Sequence, residues 1–353
     1  MTRAVDVLVV GIGPGGAAAA GSAAAAGLEV LAVEKKKRIG EPVQCAEFIP
    51  GPLAEYARDD GVLAQAIAGM KTCLPSGAVA SSAFPGLMVD RAAFDRALAT
   101  RAGSAGAEIM SDTALVAVEP DQHVAWIRQN GQTREIAYRV LIAADGPHSM
   151  TARLLGLPAL PVIHTRQYTV ALRESYADTD IWLSDEFPGG YAWLFPKGRV
   201  ANLGLGADRH FEPDLKAPLE RLHAELVRQG RVGAEVLQRT GGAIPVGGLR
   251  ENLHWKHALF VGDAAGLTHP ITGAGIAAAV QSGEHAGLAA VEYIAGNQRA
   301  LDAYDEDMRE QYGPVLTRAV ERRAYLAGCW RQAAADDDRV QRRGWIAFNE
   351  YFA

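Results

Sequence analysis

The run VDVLVVGIGPGG at residues 5–16 limits the fold of this chain more than any other stretch. A short apolar strand runs directly into Gly11, Gly13 and Gly16 at G-x-G-x-x-G spacing, with Pro14 inside the turn. Residues 14–26 are Ala-rich and read as a helix, and residues 29–34 (EVLAVE) as a second strand ending in Glu34. Gly11 permits the tight turn, Gly13 lets the backbone approach a pyrophosphate, and Gly16 lets helix and strand pack closely. The first turn of the helix offers free N–H groups and the positive end of its dipole to an anion. Glu34, about 20 residues downstream, is placed to accept hydrogen bonds from a ribose. Lys35 opens a basic run through Arg38 that can attract an anionic cofactor, although such runs usually face water. A strand, a glycine turn, a helix and a spaced acid together imply a bound dinucleotide.

Further along, residues 91–106 read as a helix opening at Asp90-Arg91, with Phe94 and Leu98 four apart. Short strands follow from 108 to 144, and a β-rich block spans 163–206. A helix is expected at 213–229, a strand at 258–263, a small-residue helix at 273–295, and charged helix from 297 to about 342. No run of 18 apolar residues exists, so no membrane span is expected and the default compartment is the cytoplasm. A net charge of −6 gives no reason to expect a nucleic-acid partner. Cys45, Cys73 and Cys329 are too scattered for a disulfide framework, and neither they nor the nine histidines have metal-ligand spacing, so no metal is expected. His269 stands out among the histidines only by its place in a glycine-rich turn.

That turn, GDAAGLTHPITGAGI at 262–276, decides which dinucleotide is expected. A strand ends in Gly262-Asp263 and leads through Pro270, Gly273 and Gly275 to a helix starting near Ile276. An acid at a strand end can hold a ribityl hydroxyl, and a second helix start can meet a second phosphate or the flavin ring. Those requirements belong to FAD. Together with ADGPHSMTAR at 144–153 (Asp145, Gly146, Ser149, Arg153), the ordered motifs resemble the p-hydroxybenzoate hydroxylase-like FAD superfamily over nearly the whole chain. Within it, GEPVQCAE at 40–47 resembles the cysteine-small-glutamate signature of the geranylgeranyl reductase family, and GGYAWLFPKG at 189–198 its glycine-tyrosine-x-tryptophan-x-phenylalanine-proline segment.

The resemblance implies an α/β fold: a Rossmann-like FAD-binding domain of the p-hydroxybenzoate hydroxylase type, an inserted β-sheet-rich substrate domain and C-terminal helices. The expected division places FAD-binding pieces at 1–75, 91–160 and 251–295. Substrate-domain strands are expected at 76–90, a catalytic β-sheet domain at 161–250, and a helical region at 296–353. The loop carrying Gln44, Cys45, Ala46 and Glu47 is expected near the isoalloxazine, with Arg91 reaching back to the FAD. Tyr191, Trp193 and Phe195 are expected to line the substrate side. Cys45, Glu47, Tyr191 and Trp193 are the catalytic candidates, with Cys45 or Glu47 as proton donor or relay.

No second G-x-G-x-x-G is present, so NAD(P)H is expected to reduce the flavin transiently, without a Rossmann domain of its own; ferredoxin is the other donor left open. The reaction the resemblance implies is reduction of carbon–carbon double bonds in an isoprenoid or other apolar small molecule. Two alternatives stay open: an electron donor to a redox partner protein, as in lipoyl or other cofactor assembly, and an aromatic hydroxylase. Peripheral membrane contact is left open too. The chain departs from the family in being shorter than typical members, in carrying Ala274 within the glycine turn, and in ending without a long apolar stretch. Nine Phe and six Trp are few for lining an isoprenoid tunnel, though Leu, Val and Ala can serve.

Overall fold

The computed structural model describes residues 3–211 and 214–353. In chain order its elements are β1 (Arg3–Val10), α1 (Pro14–Ala25), β2 (Val30–Val33), β3 (Phe48–Pro50), β4 (Leu63–Cys73), β5 (Val79–Val89), α2 (Arg91–Ser104), β6 (Glu108–Met110), β7 (Thr113–Glu119), β8 (Val124–Gln129), β9 (Gln132–Ala143) and α3 (Met150–Leu154). They continue as β10 (Val162–Leu172), β11 (Asp178–Trp182), β12 (Ala192–Lys197), β13 (Val200–Ala207), α4 (Lys216–Arg228), β14 (Val232–Thr240), β15 (Ala243–Pro245), β16 (His254–Trp255), β17 (Ala258–Phe260), α5 (Gly262–Ala265), α6 (Ile276–Ile294), α7 (Ala300–Arg331) and α8 (Asp338–Gly344). The helix expected from 213 starts at Lys216, and Pro213 lies outside the described residues.

Two sheets organise the chain. The first runs β16-β17-β9-β1-β2-β6, with the β7–β8 hairpin added beside β9. Its central strands β17, β9, β1, β2 and β6 pair in parallel. Parallel strands flanked by helices are buried on both faces, which is why Val7–Val10 and Leu31–Val33 read as continuous apolar runs. The second sheet runs β14-β10-β13-β12-β11-β4-β5-β3, with β15 beside β10. It is antiparallel except where β11 meets β4. The chain therefore enters the second sheet at Phe48, earlier than the break at 75–76 expected from sequence. Alternation shows that 63–73 is a strand but cannot show which sheet it joins.

Antiparallel pairing sends alternate side chains of β12 to opposite faces. Ala192 and Leu194 join a cluster with Leu203, Leu205 and Leu219 of α4. Trp193, with Tyr191 and Phe195 beside it, joins a different cluster formed by Ile271 and the C-terminal residues Leu326, Trp345, Phe348 and Tyr351. The end of the chain thus supplies its apolar surface as separate residues gathered in space.

Helix α1 lies against α6 through small residues. A Cβ on Gly283 would sit 2.1 Å from the Gly15 carbonyl oxygen, and one on Gly287 would sit 2.6 Å from the Ala19 carbonyl oxygen. Pairing 15 with 283 and 19 with 287 makes the helices parallel, so their N-termini open at the same end. Gly283→Ala should destabilise the protein by about 1–3 kcal/mol in urea unfolding, because backbone on both sides must move. Gly328→Ala in α7, whose Cβ meets nothing within 4 Å, should be neutral or stabilising. Equal effects would contradict the close-packing account.

Candidate active site

The first wall of the site is the pair of parallel helix starts. Gly13 caps α1 with no side-chain hydrogen bond, and Pro14 occupies the first turn, where its missing N–H costs nothing. Gly275 caps α6, also without a side-chain bond, and Ile276 begins it. The leading N–H groups of both helices are therefore left for a ligand or water. Gly11 has φ +95°, and a Cβ there would lie 2.4 Å from the Ala144 carbonyl oxygen, so only glycine suits this turn. Gly16 lies so close to Gly11 that its Cβ would meet the Gly11 carbonyl oxygen at 1.8 Å. A Cβ on Gly13 meets nothing within 4 Å, so that turn faces open space. Glu34 is buried, and its two oxygens accept from the N–H groups of Ile12 and Lys36, both at 2.9 Å. Each oxygen keeps a lone pair for a ribose hydroxyl. Lys35 is exposed beyond it.

The opposite wall is the loop at 43–47, which hydrogen bonds from the second sheet hold residue by residue. Thr240 donates its hydroxyl to the Val43 carbonyl at 2.7 Å, and the Gln44 side-chain amide donates to the Gly241 carbonyl at 2.7 Å. Gln167 donates to the Cys45 carbonyl at 3.0 Å and accepts from the Trp193 indole at 3.1 Å. Asn202 donates to the Ala46 carbonyl at 3.2 Å and to the Glu47 carboxylate at 2.8 Å. Glu47 also takes both contacts of the Lys197 ammonium, at 2.8 and 2.9 Å, and the Arg91 N–H at the start of α2. A carboxylate with this many donors is an acceptor only. Glu47 anchors the loop, with φ +70° and with both carboxylate oxygens held by donors.

Between these walls the Cys45 thiol lies beside the Arg91 guanidinium. Its Sγ accepts from the Glu47 N–H at 3.2 Å. Two Arg91 donors form a fork on Asp95, at 3.0 and 3.1 Å, so that edge of the guanidinium is held by this chain's own carboxylate. Burial pulls the Arg91 pKa down, but Asp95 and Cys45 more than offset it, and the net shift is upward. Burial, and then the Cys45 charge, raise the Tyr191 hydroxyl above its ordinary range. Tyr191 donates to the Thr272 carbonyl at 2.5 Å, tying the aromatic strand to the glycine turn of 262–276. In that turn burial pushes the Asp263 carboxyl up, while the Thr268 hydroxyl and Arg91 oppose the shift.

Other expected residues serve the scaffold. Asp145 accepts from the Ser149 hydroxyl at 2.6 Å and from the Thr151 N–H and hydroxyl at 2.8 and 3.0 Å. Ser149 itself caps α3. Those bonds shape the corner after β9, at Gly146 with φ +84°. Arg153 is exposed. His269 accepts from the Ile271 and Thr272 N–H groups, both at 3.3 Å, and burial pushes it down to about 4. It holds the turn around buried Pro270, and Gly273 there has φ +69°. Sequence reasoning missed Gln167, Lys197, Asn202, Thr240 and the buried Arg250, which donates to the Ala264 and Pro158 carbonyls. The one available signal was Asn202, a polar residue inside the apolar run VANLGLG.

Residues 5–201 match the pyridine nucleotide-disulphide oxidoreductase family, and residues 162–243 match the geranylgeranyl reductase catalytic domain. The second match contains Gln167, Lys197, Asn202 and Thr240. The digeranylgeranylglycerophospholipid reductase of Methanosarcina acetivorans is 31% identical, over 94% of this chain and 86% of its own. That of Methanocella arvoryzae is 34% identical, over 90% and 86%. The chain belongs to the geranylgeranyl reductase family. A crystal structure of a geranylgeranyl bacteriochlorophyll reductase-like protein from Thermoplasma acidophilum superposes with a TM-score of 0.88 at 29% identity, over 99% of this chain and 93% of that one.

Membership in the geranylgeranyl reductase family makes this an FAD-dependent oxidoreductase, and the residues present fit the cofactor. Two uncapped helix starts and the open space at Gly13 suit its pyrophosphate, and Glu34 suits its ribose. Among the described residues no helix is long and apolar enough to cross a membrane.

Gly13→Val should leave the circular-dichroism spectrum unchanged and give colourless protein; stoichiometric FAD in this variant would remove the turn from the cofactor site. Lys197→Met leaves the Glu47 charge buried without its cation and should cost about 3–5 kcal/mol in urea unfolding. The double variant Lys197→Met, Glu47→Gln should recover most of that loss. A cost below about 1 kcal/mol for the single change, the size of an exposed pair, would contradict the anchoring role.

Proposed function

We propose that this protein reduces carbon–carbon double bonds in the isoprenoid chains of a glycerophospholipid, drawing its electrons from NAD(P)H. The names of its relatives support the substrate class. The observation that carries the mechanism is the Cys45 thiol, fixed beside Arg91 and Tyr191 at the edge of the apolar cluster of Ile271, Trp193, Trp345 and Phe348. Ala46, Tyr191 and Phe195 pack against that cluster, so an apolar chain lying on it passes next to the thiol.

FAD bound here and reduced by NAD(P)H would supply the hydride for one alkene carbon. An isolated alkene is a poor electrophile, so the proton for the other carbon must come from a positioned donor. Of the four catalytic candidates, Glu47 is saturated with donors, Tyr191 donates to Thr272, and the Trp193 indole donates to Gln167. Cys45 is the candidate left to act as the proton donor, its thiol beside the Arg91 guanidinium. The bond formed is carbon–hydrogen, the bond broken is sulfur–hydrogen, and the thiolate left behind lies against the Arg91 cation, which stabilises it. Solvent returns the proton to the thiolate. The absence of a second G-x-G-x-x-G is consistent with a reductant that visits and leaves.

The test is anaerobic incubation of the FAD-loaded, pre-reduced protein with a digeranylgeranylglycerophospholipid. The expected results are flavin reoxidation and products heavier by one dihydrogen per double bond reduced. Cys45→Ala should stay yellow and lose turnover by about 10²- to 10⁴-fold. Undiminished turnover in that variant would refute the thiol as donor, and the absence of reduced lipid with wild-type protein would refute the substrate.

A further inference from the structure

On the far side of the 43–47 loop lies a cleft of about 480 Å³, lined by His164, Thr165, Arg166, Arg209, Asp214, Leu215, Lys216, Arg239, Thr240 and Gly241. We propose that this cleft binds a phosphate or pyrophosphate group. Arg166, Arg209, Lys216 and Arg239 bring four cations to its wall, where Asp214 is the acid. Asp214 accepts from the Lys216 N–H at 2.8 Å, at the start of α4. Lys216 pairs with Glu220 at 3.6 Å. Neighbouring Asp208 is committed to His210 at 2.8 Å and Arg323 at 3.4 Å. Arg166 and Arg239 form no ion pair among the described residues.

Two features show that these cations are arranged for something other than water. Arg166 and Arg239 both lie over the Tyr168 ring, at 5.9 and 5.7 Å from its centroid, so one aromatic ring holds two like charges. Beside them, Arg166 Nε and His164 Nδ1 are buried with no hydrogen-bond partner. A buried donor left without a partner costs free energy, and a doubly charged oxyanion satisfies guanidinium donors in pairs. The cleft also joins the active-site loop directly: Thr240 and Gly241 on its wall hold Val43 and Gln44, immediately before Cys45. An anion seated there lies one loop away from the thiol.

Two molecules could bring that group: the lipid through its headgroup, or the nicotinamide dinucleotide through its phosphates. Binding itself is independent of the proposed reaction, whereas the choice between these sources rests on it. The primary experiment titrates inorganic pyrophosphate into FAD-loaded protein by calorimetry, comparing wild type with Arg239→Gln and, separately, Arg166→Gln. One site is expected, weakened by added salt and by about ten-fold or more in each variant, the loss of one charged contact. No binding in the wild type, or equal binding in both variants, overturns the proposal whatever the enzyme reduces. Steady-state kinetics of Arg239→Gln then assign the source. A raised KM for NADPH or NADH points to the reductant, and a raised KM for the phospholipid points to the headgroup. If pyrophosphate binding is lost while every KM is unchanged, the cleft takes an adventitious ion only and the proposal is overturned.

Discussion

The structure depends on the polar bonds that bind the loop at 43–47 to the second sheet. A loop crossing between two sheets leaves its carbonyls without ladder partners, and each must find a donor. Here the donors come from strands remote in sequence: Thr240 for Val43, Gln167 for Cys45 and Asn202 for Ala46. Glu47 closes the series by bringing Lys197, Asn202 and the first N–H of α2 onto one buried carboxylate. Removing any one member leaves a buried group without its partner, so the set is held as a unit. Its effect is to fix the Cys45 sulfur between the sheets, beside Arg91, where neither sheet alone would place it.

The nucleotide-binding side shows a complementary economy. Helices α1 and α6 start about 260 residues apart in sequence, yet small residues at Gly15, Gly283 and Gly287 let them lie parallel and in contact. Parallel packing aligns their dipoles and brings both uncapped N-termini to one end, which favours an extended dianion over two separate ones. The aromatic strand couples this side to the other. Tyr191 bonds to Thr272 in the second glycine turn, and Trp193, two residues on, bonds to the glutamine that holds Cys45. The second glycine turn, the aromatic segment 191–195 and the thiol loop are thus bonded to one another.

Much of this was legible in the sequence because its signals are local. The apolar run before Gly11, the alanines after it and Glu34 at the end of the next strand fix a βαβ unit within one stretch of chain. The motif at 262–276 likewise announced its strand end and helix start. The roles of the acids were not legible. A sequence displays Glu47 and Asp145 but not their partners, and partners decide whether a carboxylate donates, accepts or caps. Lys197 meets Glu47 across 150 residues, a contact that no periodicity reveals. Residues 48–73 were assigned to the wrong side of a boundary for a related reason: alternation identifies a strand without identifying its neighbour. The apolar C-terminal surface escaped notice because Leu326, Trp345, Phe348 and Tyr351 form a patch only after α7 and α8 fold back.

The central claim is that the bonded loop holds Cys45 in the space the flavin shares. Its most direct test is the rate of iodoacetamide labelling at Cys45, followed by peptide mass mapping in FAD-loaded and FAD-stripped protein. Cys73 and Cys329, both free and partly exposed, serve as internal references. The account predicts that FAD slows labelling at Cys45 and leaves the two references unchanged. Labelling of Cys45 at the same rate with and without the cofactor would place the thiol outside the flavin site and contradict the account.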